Sequence, residues 1–105
     1  MTNSPANPVV WCEIPLRDID RGIAFYMSVF DFSLTRDDNG RNPIAMFKDD
    51  MSGVSGHLFP GEPSAAGNGP TIHLIVPDTL EAAADRCRKA GGTVKSDPVP
   101  LPIRS

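Results

Sequence analysis

Two histidines, one tryptophan and a few carboxylates are the side chains of this 105-residue chain best suited to chemistry. Glu13, His57 and His73 matter most. A carboxylate and an imidazole that share a cavity can bind a metal or act as a general-base pair. Three such groups around an open position make the kind of site used for Lewis-acid chemistry or for activating water. Trp11 has the flat apolar surface that lines many binding cavities, and it would serve equally well as core. Thr71 stands before His73 as Trp11 stands before Glu13. Cys12 and Cys87 fall on apolar faces and, with no secretory signal, are expected to be reduced, small buried hydrophobes. No Gly-rich phosphate loop, nucleophile elbow or C-x-x-C motif is present.

The elements that must position these groups follow from periodicity. Val9–Ile14 has strand composition, with Val10, Cys12 and Ile14 on one face and Val9, Trp11 and Glu13 on the other. The purely apolar face should meet a helix. That helix is predicted from about Ile19 to Phe30: Asp18 is its N-cap, and Ile19, Ile23, Tyr26 and Phe30 recur at helical spacing. Phe25 and Tyr26 are expected to be core. Phe32–Arg36 and Ile44–Phe47 read as two strands, with Asn39-Gly40 between them as a hairpin turn whose residues tolerate positive φ. Asp37, Asp38, Asp49 and Asp50 read as solvated turns. Val54–Phe59 is a further strand and carries His57. Residues 60–70 are a linker by composition.

The pattern then begins again. Thr71–Val76 reads as a strand, with Ile72, Leu74 and Val76 toward a helix and Thr71, His73 and Ile75 on the other face. Asp78 and Glu81 form a D-x-x-E capping box. Leu80, Ala83, Ala84, Cys87 and Ala90 make a helical stripe, and Gly91-Gly92 supplies the stop. Thr93-Val94-Lys95 looks like the start of another strand, before a tail whose alternate prolines cannot form a central strand. The order β-α-β-β-β, linker, β-α-β is an internal repeat of about sixty residues. Pseudo-symmetry would place Glu13 and His73 in equivalent positions facing one cavity, with His57 able to join them.

The opening of the first copy resembles the vicinal-oxygen-chelate superfamily, the glyoxalase, bleomycin-resistance and extradiol dioxygenase proteins. The residues that carry the likeness are Val10–Pro15, then Asp18-Ile19-Asp20-Arg21, Ala24-Phe25-Tyr26 and Val29-Phe30-Asp31-Phe32. In the second copy they are Ile72–Asp78 and Lys89-Ala90-Gly91-Gly92. The resemblance implies an α+β fold of paired βαβββ modules in one domain: a first module over residues 8–59, the linker, and an incomplete second module over 71–105. It implies a small-molecule cavity between the modules, lined here by Trp11, Glu13, His57, Thr71 and His73. It also implies either a metal-assisted lyase, isomerase or dioxygenase, with Glu13 and His73 catalytic, or a metal-free, non-catalytic binder of drug-like compounds. In the first case one divalent ion (Zn, Ni, Mn or Fe) would sit on Glu13, His57 and His73.

The chain departs from the family pattern in two ways. The first-strand metal ligand of many relatives is a histidine seven residues before the capping Asp; counting back from Asp18 and Asp78 lands on Trp11 and Thr71. The second copy also lacks its last two strands, and with them the Glu that usually completes the ligand set. A shortened reading frame, a natural remnant or a second chain covering the open edge would each account for the missing strands; the last would make a homodimer. Composition narrows the partners. A net charge of -3 argues against nucleic acid and against an anionic membrane surface. No apolar run spans a bilayer, and the polar N-terminus lacks a signal pattern, so a cytoplasmic protein with a small-molecule ligand is expected.

Overall fold

The computed structural model describes residues 2–48 and 53–100. Its first half is the βαβββ module that the periodicity predicts. Strand β1 (Trp11–Leu16) leads into helix α1 (Ile19–Phe30), followed by β2 (Leu34–Asp37), β3 (Ile44–Phe47) and β4 (Ser55–Pro60). The strands form one sheet in the order β1-β4-β3-β2. β1 runs parallel to β4, and the other pairs are antiparallel. The parallel pair is possible because α1 carries the chain back across the sheet between them.

Local chemistry sets the ends of α1. The Asp18 carboxylate accepts the backbone N–H groups of Asp20 and Arg21 at 3.1 and 3.2 Å, satisfying two donors that the first turn leaves unpaired. At the other end Asp31 takes a left-handed conformation with φ 58°, and its N–H closes onto the Met27 carbonyl at 3.1 Å. The helix lies on one face of the sheet. Ile19, Ala45 and Leu58 are buried between them, and Ile14, Leu16, Ile23, Tyr26, Leu34 and Phe47 pack around them. Leu58 is fully enclosed, which stabilises the fold by about 2 kcal/mol through burial alone. Gly56 pairs with Cys12 at the β1–β4 seam. A Cβ there would lie 2.3 Å from the Cys12 carbonyl oxygen, so only glycine permits this approach.

The second half keeps its helix and loses its strands. Helix α2 spans Leu80–Lys89. Gly91, at φ 91°, ends it as predicted, and the Gly92 N–H bonds the Cys87 carbonyl at 2.8 Å. Thr79, not Asp78, is the N-cap: its hydroxyl accepts the Ala82 N–H at 3.1 Å. Asp78 instead receives two hydrogen bonds from the Arg86 guanidinium, at 2.7 and 2.9 Å. Arg86 Nε also donates to the Val29 carbonyl at 3.0 Å, tying α2 to the C-terminal end of α1.

Residues 71–76 and 93–95 form no strand, contrary to the alternation argument. A strand exists only through the ladder it joins. Among the described residues no strand pairs with either segment, and the outer edge of β1 is also unpaired. The Asn39-Gly40 turn is corrected as well. β2 and β3 are joined by residues 38–43, with neither Asn39 nor Gly40 at positive φ, so the two-residue hairpin is replaced by a longer connection pinned by the Asp37 side chain on the Asn39 N–H at 2.9 Å. The loop predicted over 49–53 and the tail prolines beyond residue 100 fall largely outside the described residues. The chain exposes 8426 Å², against roughly 5,700 Å² for a close-packed monomer of this mass. Its core is correspondingly thin.

Candidate functional site

The sheet face opposite α1 carries the chemistry. Strand alternation puts Cys12 and Ile14 toward the helix and Trp11 and Glu13 away from it, as the apolar pattern predicts. Register then aligns the neighbours. Glu13 sits opposite His57, and His57 opposite Met46. Thr35 lies opposite Met46, so Glu13, His57, Met46 and Thr35 form one row across four strands.

Three of the predicted site residues come together: a hydrogen bond joins Trp11 to His57, and His57 in turn lies within ion-pair distance of Glu13. The Trp11 indole Nε1–H donates to His57 Nδ1 at 2.9 Å. An indole nitrogen can only donate, so Nδ1 accepts and the neutral imidazole carries its proton on Nε2. That nitrogen lies 3.1 Å from Glu13 Oε1. His57 is therefore oriented from both sides, and it is also the most enclosed of the three: its side chain is 15% exposed, against 64% for Glu13. Trp11 is 41% exposed, and its ring is tilted at 49° to the imidazole. Phe59 packs edge-on against the other side of His57, centroids 6.0 Å apart. Sequence reasoning missed Phe59 and Met46. Phe59 stands two residues from His57 on a strand already assigned to the site, and that spacing was the available signal; Met46 stands on a neighbouring strand that only the sheet register brings beside His57.

His73 and Thr71 do not join this group. Both are exposed and lie outside any strand. Among the described residues His73 makes no side-chain hydrogen bond, and no three His, Cys, Asp or Glu side chains gather as a metal would require. The expected pairing of Glu13 with His73 is thus replaced by Glu13 with His57. The cause is the missing ladder: without strand pairing, nothing holds His73 in register with Glu13.

The donor set does not fit a divalent ion. The one lone pair of the neutral His57 ring points at an N–H, and its other nitrogen carries the proton, 3.1 Å from Glu13. That leaves Glu13 as a single anionic ligand, whereas a protein-held metal takes three or four. Cys12, beside Trp11, faces the helix layer, and burial raises its thiol above the ordinary value. It is a packing group rather than an activated thiolate.

A separate cleft of about 330 Å³ lies between α1 and α2, lined by Phe25, Val29, Leu80, Ala83, Cys87 and Val99 among others. Its lining is mostly apolar, with Ser96 and Asp97 as its polar members, and it reads as the seam between the two helices.

The model of the Glyoxalase/Bleomycin resistance protein/Dioxygenase superfamily matches residues 9–103. With the complete βαβββ module, the second helix and nearly the whole chain covered, the protein belongs to that superfamily, the vicinal oxygen chelate proteins. Its fold is α+β, with an incomplete second module. No curated protein matches the chain.

Proposed function

We propose that this chain is a metal-free small-molecule binding protein of the bleomycin-resistance type, and that its ligand lies on the sheet face around Trp11, Glu13 and His57. The observation that carries the reading is the chain of contacts from Trp11 through His57 to Glu13, a hydrogen bond followed by a 3.1 Å approach. It spends the imidazole's metal-binding capacity on holding an indole plane and a carboxylate in fixed positions. A rigid aromatic surface beside a few placed polar groups is how small-molecule sites are built. The superfamily's usual divalent ion has no role in this reading.

The test is nuclear magnetic resonance on ¹⁵N-labelled protein. Trp11 is the single tryptophan, so the one indole N–H signal reports directly on the site. Flat bicyclic and tricyclic compounds should move it saturably and leave the α2 amides unmoved. A library that shifts only residues of the cleft between the helices would overturn the assignment of the site.

A second reading is supported by the state of Glu13. Its Oε1 is aligned by His57, and its Oε2 has no hydrogen-bond partner among the described residues. Such a carboxylate can take a proton from a bound ligand, as in an isomerase or lyase. Deuterium exchange from solvent into a bound compound, lost in Glu13→Gln while binding persists, would support this reading. Binding without exchange leaves the protein a sequestering module.

The open β1 edge, with Val9 and Val10 exposed ahead of it, supports a homodimer in which a second copy covers that edge and walls the site. Free strand edges are hazards that folded proteins cover or blunt, and a two-fold isologous contact, the commonest kind of oligomer, is one way to cover them. Sedimentation velocity at micromolar concentration tests this directly; a monomer throughout would leave the face open to solvent.

A further inference from the structure

We infer that the ligand of this face is a cation: a flat aromatic compound carrying a protonated amine. The inference rests on the proposed site and adds its charge class. Its basis is the hydrogen-bonding valence left after the protein's own contacts are made. His57 Nδ1 already accepts from Trp11, and its Nε2 lies 3.1 Å from the Glu13 carboxylate. The Trp11 N–H is likewise engaged. Two polar functions of the row remain, Glu13 Oε2, which can only accept, and the Thr35 hydroxyl at the far strand. A ligand that uses the carboxylate must therefore donate.

The surrounding charge points the same way. Along that face the four strands place two carboxylates, Glu13 and Asp37, and no lysine or arginine. Arg36, the one arginine within these strands, stands on the opposite face, where it pairs with Asp20 and Asp38. An anionic ligand would meet like charge from Glu13, while an ammonium would meet a carboxylate and the face of an indole. Both attract it: the first through a charge-assisted hydrogen bond, the second through the negative face of the ring. Met46 and Phe59 flank His57 and supply apolar surface for the ligand's body.

The experiment compares three probes with one ring system, 2-naphthylmethylammonium, 2-naphthylmethanol and 2-naphthoate, by titration calorimetry and by the Trp11 indole N–H signal. The ammonium should bind about tenfold tighter than the alcohol, and the carboxylate weakest of all. Glu13→Gln should bring the ammonium down to the alcohol's affinity while the indole signal still shifts. Two results would overturn the inference and leave the binding site standing: naphthoate binding as well as the ammonium, or a preference for the ammonium that survives Glu13→Gln. If none of the three moves the indole signal, the site itself fails, and the charge assignment with it. Because Glu13 is exposed and on the surface of the sheet, the variant should keep the wild-type circular dichroism and melting temperature, which confirms that it is folded.

Discussion

The indole nitrogen of Trp11 and the Nδ1 of His57 lie 2.9 Å apart as donor and acceptor, and this contact decides what the imidazole has left to do. A histidine ligates a metal through an unprotonated nitrogen. In this ring that nitrogen is turned toward an N–H, and the protonated one faces Glu13 at 3.1 Å. The position two residues before the site carboxylate thus removes a metal ligand and supplies an aromatic plane.

Metal content follows from this relationship. After incubation with Ni, Zn, Mn or Fe(II) and desalting, the protein should carry well under one equivalent by mass spectrometry. Trp11→Phe, which uncaps Nδ1, should raise zinc or nickel uptake measurably above wild type. Near-stoichiometric metal in the wild type that disappears in His73→Ala would mean that His73 reaches the site after all.

The β1–β4 seam should tolerate no side chain at position 56. The Cβ of Gly56→Ala would meet the Cys12 carbonyl oxygen at 2.3 Å and its Sγ at 2.6 Å. Backbone cannot yield as a flexible side chain would, so the two strands must separate. A loss of roughly 2 kcal/mol or more is expected, read as a fall in the urea midpoint. It would disorder Glu13 and His57 together, because they are partners in the same register. An unchanged midpoint would contradict the parallel pairing.

Asp78 and Arg86 should give the stability profile an acid limb. The guanidinium's hydrogen bonds hold the Asp78 carboxyl below its ordinary value. The unfolded chain, with a carboxyl pKa near 3.9, then takes up protons at higher pH than the folded one. The pair's contribution is complete above about pH 4 and declines as pH falls further, through the folded value. Thermal melts of Asp78→Asn from pH 7 to pH 2 should lack that part of the decline. Arg86→Ala should lose more than Asp78→Asn at neutral pH, because it also breaks the bond to the Val29 carbonyl.

Asp31 ends α1 at φ 58°, a conformation that costs a residue with a Cβ and is free to glycine. Asp31→Gly is expected to stabilise the protein by about 0.5 kcal/mol. The gain is trimmed by losing the carboxylate's attraction for Arg86. A melting temperature a few degrees higher would bear this out; a lower one would show that the carboxylate matters more than the backbone.

The order of the first module and the bounds of its helix were legible, and the reasons are local. Asp18 marks the start of α1 because a short carboxylate can reach the N–H groups of the first turn. Ile19, Ile23 and Tyr26 mark its inner face because 3.6 residues make a turn. Trp11 and Glu13 were placed on the open face because alternate residues of a strand point opposite ways. The second module was legible only in its helix. α2 carries its own hydrogen bonds and needs just one packed face, so composition was enough. The segment over 71–76 has equally good strand composition, yet it forms no strand, because a strand's hydrogen bonds belong to a neighbour. Asp78 shows the same limit on a smaller scale: its spacing to Glu81 fits a capping box, but Arg86, two helical turns away, offers a bidentate partner, and the neighbouring Thr79 hydroxyl takes the cap.

By itself the sequence determined the superfamily, the βαβββ order and the face on which Trp11 and Glu13 stand, since each depends on residue type and period along the chain. Only the tertiary structure decided that Glu13 meets His57 rather than His73, and that Trp11 occupies the nitrogen a metal would need. Those contacts cross from β1 to β4, 44 to 46 residues apart along the chain, and are set by strand register. Register is a property of the paired strands together, which neither strand's own pattern contains.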